Sequence, residues 1–201
     1  LRDGKASMGD ETGRQAVEFL QEIGQYFNEG FGATDYATAQ SMFLDGKSAM
    51  YYIGDWEQAA MLEAYNAGKV DYFYLPTAEG AKTGANEFCV NSGIGMAFNT
   101  QTFDAKTKDF IKYVIENYGK IYAGRMQMSP IKTELPEDIQ FTDLYLRIRE
   151  DMEKTGKNFL KPWDTYLDVD TNTVMQDNML LLAAGDMTVD DFIKIVDDAI
   201  A

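Results

Sequence analysis

Two tryptophans stand beside carboxylates in this chain, each near a predicted break in secondary structure. Trp56 follows Asp55 just past a predicted strand, and Trp163 precedes Asp164 in a predicted loop. Taken alone, such a ring is more often a structural aromatic. A ring face beside a fixed hydrogen-bond acceptor also suits a sugar, which has C–H faces and hydroxyl edges. The pairing of ring and carboxylate therefore makes both positions candidates for a binding site.

The rings alone do not account for useful affinity. Covering ~100 Å² of ring and sugar C–H contributes ~2.5 kcal/mol, so two contacts give ~5 kcal/mol, whereas micromolar binding requires ~8 kcal/mol. Polar groups must supply the remainder. Asn91, Ser92 and the backbone of Gly93 are suited to this if their strand crosses the cleft.

Composition excludes several function classes. The 201 residues include no histidine, which removes Ser-His and Cys-His nucleophile systems and histidine-bearing zinc sites. The net charge of -15 counts strongly against nucleic-acid binding. The single cysteine, Cys89, permits no intramolecular disulfide, and we expect it to be buried. Asp168-x-Asp170-x-Asn172 opens like a calcium loop but lacks the later glycine and glutamate, so an acidic helix cap around Asp170 is favoured over a non-EF calcium site.

Periodicity and turn residues predict the elements that position these groups. Apolar stripes and capping signals indicate helices over 12–28, 35–45, 55–68, 104–118, 137–154, 172–184 and 188–200. Asp55 with Gln58, and Thr188 with Asp191, have capping-box spacing. Strands are predicted over 47–53, 70–75 and 87–99. Three strands are few for so many helices, so we predict an α/β fold whose sheet is completed by sequence that is not present.

An ordered set of motifs resembles a known family. Phe43-x-x-Gly46-Lys47-x-Ala49-Met50 is followed by Gly54-x-Trp56, then by a strand ending in Leu75-Pro76, and then by the run 91–99. A terminal helix pair separated by Ala183-Ala184-Gly185 closes the chain. From about residue 10 onward, this order is similar to that of the extracellular solute-binding proteins of carbohydrate ABC transporters, the maltose-binding-protein-like family.

The resemblance implies a periplasmic-binding-protein-like fold of type II, of which this chain is the carboxyl-terminal half. Residues 1–87 and 135–201 would form the second lobe, 88–98 a hinge-crossing strand, and 99–134 a helical segment packed on an absent first lobe. Trp56 looks like the family's stacking aromatic, and Gly54 and Asp55 look like the turn that precedes this aromatic. Family members often have another aromatic near the start of the penultimate helix, which this chain lacks at 169–174. Trp163 and Tyr166 would take its place, with Asp164 beside the Trp163 ring.

The resemblance also implies a function and a location. The solute, a sugar or oligosaccharide, would close two lobes about a hinge, and the closed form would dock on membrane permease subunits of the transporter. The protein would be a monomer without cofactor, metal or catalytic residues, either periplasmic or a membrane-tethered extracellular lipoprotein. Because the chain begins at Leu1 without a signal segment, we expect it to be part of a longer or processed protein.

Two alternatives stay open from the residues themselves. The same fold could bind a non-sugar solute such as a polyamine, which Asp55, Asp164 and the acidic surface would favour. A glycoside hydrolase would need two carboxylates about 5–10 Å apart, and no pair in the sequence indicates one.

Overall fold

A computed structural model describes residues 7–76, 88–89, 95–129, 133–155 and 159–200. Within these ranges the helices are α1 (Glu11–Gly24), α2 (Tyr36–Leu44), α3 (Gln58–Asn66), α4 (Ala105–Gly124), α5 (Asp143–Thr155), α6 (Val169–Ala184) and α7 (Val189–Ile200). The chain divides into two compact units, the first comprising Leu1–Ala49 and Lys161–Ala201, the second Met50–Leu160. In the described ranges, none of the helices combines the length and apolar character that a membrane span requires.

The first unit is built on α1, α6 and α7, which pack on one another. Gly24 allows α1 to end directly against α6, because a Cβ at this position would overlap the backbone carbonyl of Ala183. The side chains that fill the space between the three helices are Val17, Met175, Leu182, Phe192, Ile193 and Val196. The apolar stripes predicted for these segments therefore do form a helical core.

Helix caps in this unit follow the sequence closely. Asp35 accepts the backbone N–H of Thr38 at 2.8 Å and starts α2. Thr188 accepts the N–H of Asp191 at 3.1 Å and starts α7, as the capping-box spacing predicts. The prediction for α6 is wrong by one turn, since the cap is Asp168, not Asp170, and the helix begins at Val169 instead of 172. The carboxylate of Asp168 accepts the N–H groups of two following residues, so the acidic triplet serves to start a helix.

The second unit contains α3, α4 and α5, and α3 packs on α5. Helix α4 does not end at Gly119, where the sequence predicts its end, but continues to Gly124. Gly119 is buried, and a Cβ there would overlap the side chain of Thr133, so this glycine marks a close approach and not a helix end. Helix α5 begins at Asp143 and not at 137, because Thr142 accepts the N–H of Tyr145 at 3.2 Å and acts as the cap.

The predicted strands are largely wrong as hydrogen-bonded strands. Residues 47–53 and 70–75 are irregular, without strand pairing in the described structure. Their apolar residues indicate an extended backbone, but a strand also requires a neighbour to accept its hydrogen bonds. Several of these side chains face solvent instead, among them Met50, Tyr52, Phe73 and Leu75.

Within the described ranges, strand pairing is confined to β1 (Phe88–Cys89) and β2 (Phe159–Leu160), which run parallel, with Phe88 opposite Phe159. Of the strand predicted over 87–99, only β1 forms; residues 95–99 are irregular, and 87 and 90–94 lie outside the described residues. Cys89 is exposed, not buried as expected. The chain is thus much more helical in its described part than the predicted α/β arrangement.

Candidate functional site

The segment Gly54–Trp56 forms a sharp corner at the entry to α3. Gly54 is extended, with φ -95° and ψ 172°, and Asp55–Glu57 then make one turn of 3-10 helix. The N–H of Glu57 donates to the carbonyl of Gly54 at 3.2 Å and closes the turn. The chain therefore passes from an extended segment into α3 through this turn, which contains Trp56.

Gly54 and Trp56 are in direct contact. A Cβ built on Gly54 would overlap three carbons of the six-membered ring of the indole. The spacing Gly-x-Trp thus has a physical reason: the ring folds back over the backbone of Gly54, where only a hydrogen leaves room. Trp56 is 55% exposed, so one part of the ring is fixed against the corner and another faces solvent.

Asp55 turns inward instead of capping α3. Burial raises the pKa of its carboxyl, and backbone N–H groups near it, among them that of Met128, oppose the rise. Burial raises the pKa values of Tyr74 and Tyr145, and the negative charge of Asp55 adds to both shifts. The predicted capping box of Asp55 with Gln58 is therefore wrong, since the 3-10 turn places Glu57 at the cap of α3 without a side-chain cap bond.

The chain leaves α4 through an unusual backbone conformation. Met126 has φ +56°, in the left-handed region that glycine usually occupies. The N–H of Gln127 donates to the carbonyl of Tyr122 at 3.0 Å, and that of Met126 to Ala123 at 2.9 Å, which closes the helix end.

Gln58, the first residue of α3, is buried to 6% exposure. Its side-chain amide has no hydrogen-bond partner in the part of the chain that the structure describes. Glu57 beside it is also buried. The corner therefore contains buried polar groups, and such groups in native proteins usually have hydrogen-bond partners.

A second group of polar residues joins α5 to the segment after α3. Arg147 donates to Asp71 at 2.6 Å and to the hydroxyl of Tyr65 at 3.2 Å, and stacks 4.5 Å from the ring centre of Tyr72. The hydroxyl of Tyr72 donates to Asp151 at 2.6 Å, and its pKa is raised by burial and by this bond. These contacts hold the two segments together on the surface.

A shallow depression of about 530 Å³ lies beside this group. Its walls come from the end of α3, the following turn and α5, and they do not include Trp56. Two of the charged residues that line the depression, Asp71 and Arg147, form an ion pair with each other. We therefore place the candidate site at the Trp56 corner, where an exposed ring is held in a fixed position, and not in this depression.

Of the remaining residues predicted for the site, only some lie in the part of the chain that the structure describes. Asn91, Ser92 and Gly93 lie outside the described residues. Trp163–Tyr166 form one turn of 3-10 helix in the first unit. Tyr166 is 55% exposed, and Oδ1 of Asp164 is buried without a hydrogen-bond partner in the described ranges. The structure thus brings together Gly54, Asp55 and Trp56, and it gives Trp163, Asp164 and Tyr166 a common local turn.

Sequence reasoning missed that the side chain of Asp55 is half-buried and does not cap α3. Burial at the entry to a helix depends on distant parts of the fold, so the local spacing gives no signal of it. The sequence also does not indicate the left-handed backbone conformation of Met126, because methionine is not a residue that favours it. Among the described residues, no group of three or more His, Cys, Asp or Glu side chains is arranged for a metal ion.

Comparison with known proteins identifies the class. The family described as bacterial extracellular solute-binding protein matches residues 2–144, more than half of the chain. The protein belongs to this family, whose members bind solutes outside the cytoplasm. This membership confirms the resemblance stated from the motifs and the extracellular location that it implied.

Individual proteins that this chain resembles carry names that refer to sugar binding. A "Probable sugar-binding periplasmic protein" of Brucella suis biovar 1 (strain 1330) is 27% identical over 79 residues, which is 38% of this chain and 19% of the relative. The protein of the same name from Brucella melitensis biotype 1 has the same values, and that of Rhizobium meliloti (strain 1021) is 22% identical over 80 residues. The match spans about a fifth of the length of these relatives. No solved structure matches significantly.

Proposed function

We propose that this chain is part of a receptor that binds a sugar or oligosaccharide for import by an ABC transporter, with the exposed face of Trp56 as one wall of the binding site. The observation that carries the proposal is the Gly54–Trp56 corner: an indole fixed on one side by the backbone and 55% exposed. The family membership and the sugar-binding names of the relatives support it.

The physical fit is between a flat apolar face and the C–H face of a pyranose. A ring that is already fixed loses little conformational entropy when a sugar stacks on it, so more of the ~2.5 kcal/mol from the covered area is retained as affinity. Asn91, Ser92 and Gly93, together with Trp163, Asp164 and Tyr166, stay our candidates for further contacts. We assign no cofactor, metal or catalytic residue.

For the fold we propose the type II periplasmic-binding architecture, with this chain as the carboxyl-terminal half. The proposed parts are 1–87 and 135–201 for the second lobe, 88–98 for the hinge-crossing strand, and 99–134 for a helical segment on the first lobe. Exposed apolar side chains on the predicted strands, such as Phe73 and Leu75, support a sheet that other residues complete. On α4, Phe110, Tyr113 and Ile115 are exposed in the same way.

The mechanism that follows is closure of two lobes around the solute. A solute that touches both lobes shifts the equilibrium toward the closed state by its differential affinity for that state. The closed receptor, a monomer, then docks on the permease. Both a periplasmic form and a lipid-anchored form fit this scheme.

The second candidate is a cationic solute such as a polyamine, favoured by the net charge of -15. Titration calorimetry of the full-length protein separates the two classes: one panel holds maltotriose, cellobiose, xylobiose and raffinose, and the other putrescine and spermidine. Saturable heat with an oligosaccharide and none with the amines supports the proposal. Binding of an amine alone, or of no sugar in a broad panel, contradicts it.

A further inference from the structure

We propose that Gln58 is a hydrogen-bonding contact to the solute, and that its side-chain amide pairs with hydroxyl groups of a sugar that stacks on Trp56. The inference rests on the proposed function and narrows its solute class, because an amide selects a hydroxyl-bearing solute over an amine. Both residues belong to the second unit.

The observation that carries the inference is a buried amide without a partner. Gln58 is 6% exposed, and neither Oε1 nor Nε2 has a hydrogen-bond partner in the part of the chain that the structure describes. A buried polar group in this state destabilises the fold, and native proteins keep few of them. An amide that the fold itself does not satisfy is therefore a candidate for binding a molecule from outside.

Gln58 lies within one turn of the exposed ring. It is the first residue of α3 and directly follows the 3-10 turn that contains Trp56, whose side chain is 55% exposed. With a rise of ~2.0 Å per residue in such a turn, the two residues are ~4 Å apart along its axis. A sugar on the exposed face of the indole would thus lie close to the start of α3.

The amide can turn toward a solute without losing a hydrogen bond. The side chain of glutamine rotates about several single bonds, so the amide can change direction while α3 stays in place. Because the amide makes no hydrogen bond within the described ranges, this rotation breaks none there. The hydrogen bonds to the solute are then a gain that the solute-free receptor does not have.

The chemistry of an amide matches a pair of hydroxyl groups. Oε1 accepts and Nε2 donates two hydrogens, and a hydroxyl both donates and accepts. Neighbouring hydroxyls of a sugar can therefore satisfy both ends of the Gln58 amide. An ammonium group only donates and would leave Nε2 without an acceptor, so Gln58 favours a sugar over a polyamine.

Replacing the amide by an apolar chain of similar length tests the inference in the full-length protein. In urea unfolding without solute, Gln58→Met should leave the midpoint unchanged or raise it, because the change removes an unpartnered buried polar group. Gln21→Met is the matched control and should lower the midpoint, since Nε2 of Gln21 donates to the carbonyl of Met187 at 2.9 Å.

Calorimetry with maltotriose, cellobiose, xylobiose and raffinose then measures the contact. The sugar that the wild type binds should bind at least ~10-fold more weakly to Gln58→Met and equally well to Gln21→Met. Equal affinity of the wild type and Gln58→Met overturns the inference and leaves the sugar proposal intact. A Gln58→Met variant that unfolds at clearly lower urea concentration, or does not fold, also overturns it, because the amide then has a partner within the protein. A wild type that binds none of the four sugars contradicts the proposed function and the inference together.

Discussion

Replacing Gly54 by alanine tests whether the indole of Trp56 rests on the backbone of the corner. A Cβ at this position would overlap three ring carbons, so the ring must leave its place. The backbone itself does not resist the change, because φ -95° and ψ 172° lie in the extended region that alanine adopts freely. Any cost of the substitution therefore comes from the ring.

The magnitude follows from the exposure of the ring. With 55% of Trp56 exposed, the covered remainder is on the order of 100 Å², and losing it all costs at most ~2.5 kcal/mol. Alanine also restricts the unfolded chain, which returns ~0.4–1 kcal/mol. We therefore expect Gly54→Ala to lower the free energy of unfolding by ~1–2 kcal/mol. In a Trp56→Ala background the same change should be neutral or stabilising, because the clash no longer exists.

Urea unfolding of the wild type, the two single variants and the double variant measures this cycle. We expect a coupling free energy of up to ~2.5 kcal/mol between the two positions. If Gly54→Ala has the same effect in both backgrounds, within ~0.5 kcal/mol, then the ring does not lie over Gly54, and the steric reason for the Gly-x-Trp spacing is wrong.

Two further predictions concern the core and caps of the first unit. Leu182→Ala removes a fully buried side chain between three helices and should lower the free energy of unfolding by ~2–5 kcal/mol. The control Leu180→Ala, at a position 45% exposed, should lower it by ~1 kcal/mol or less. Equal losses for the two variants in urea unfolding would contradict the packing described for Leu182. Thr188→Ala should lower the free energy of unfolding by ~1 kcal/mol through loss of the α7 cap, and Thr188→Ser should lower it much less because serine keeps the hydroxyl. A serine variant as unstable as the alanine variant in urea unfolding would exclude the capping bond.

Local signals allowed the helices to be predicted from sequence. Asp35 and Thr188 start helices where the pattern placed them, because a cap and the N–H that it accepts lie within three residues of each other. Gly119 misled the prediction for α4, because the reason for this glycine is a contact with Thr133, fourteen positions away. A glycine that ends a helix and one that admits a neighbour look the same in sequence.

The strands and the burial of Asp55 depend on distant parts of the chain. The apolar and aromatic run at 70–75 predicts an extended chain, but whether a strand forms depends on what lies alongside it. The position of Asp55 before α3 favoured a cap, yet its side chain is half-buried and Glu57 stands at the cap position. The corner and its ring were thus predictable from residue spacing, while the contacts that hold the corner were not.

The affinity of Trp56 variants for a bound oligosaccharide tests the central claim most directly. Calorimetry of the full-length protein, with whichever sugar of the panel binds, should show Trp56→Ala weakening binding by ~70-fold and Trp56→Phe by less, because phenylalanine keeps a smaller stacking face. Equal affinity in the wild type and Trp56→Ala, with both folded, would contradict the claim that this indole forms a wall of the solute site.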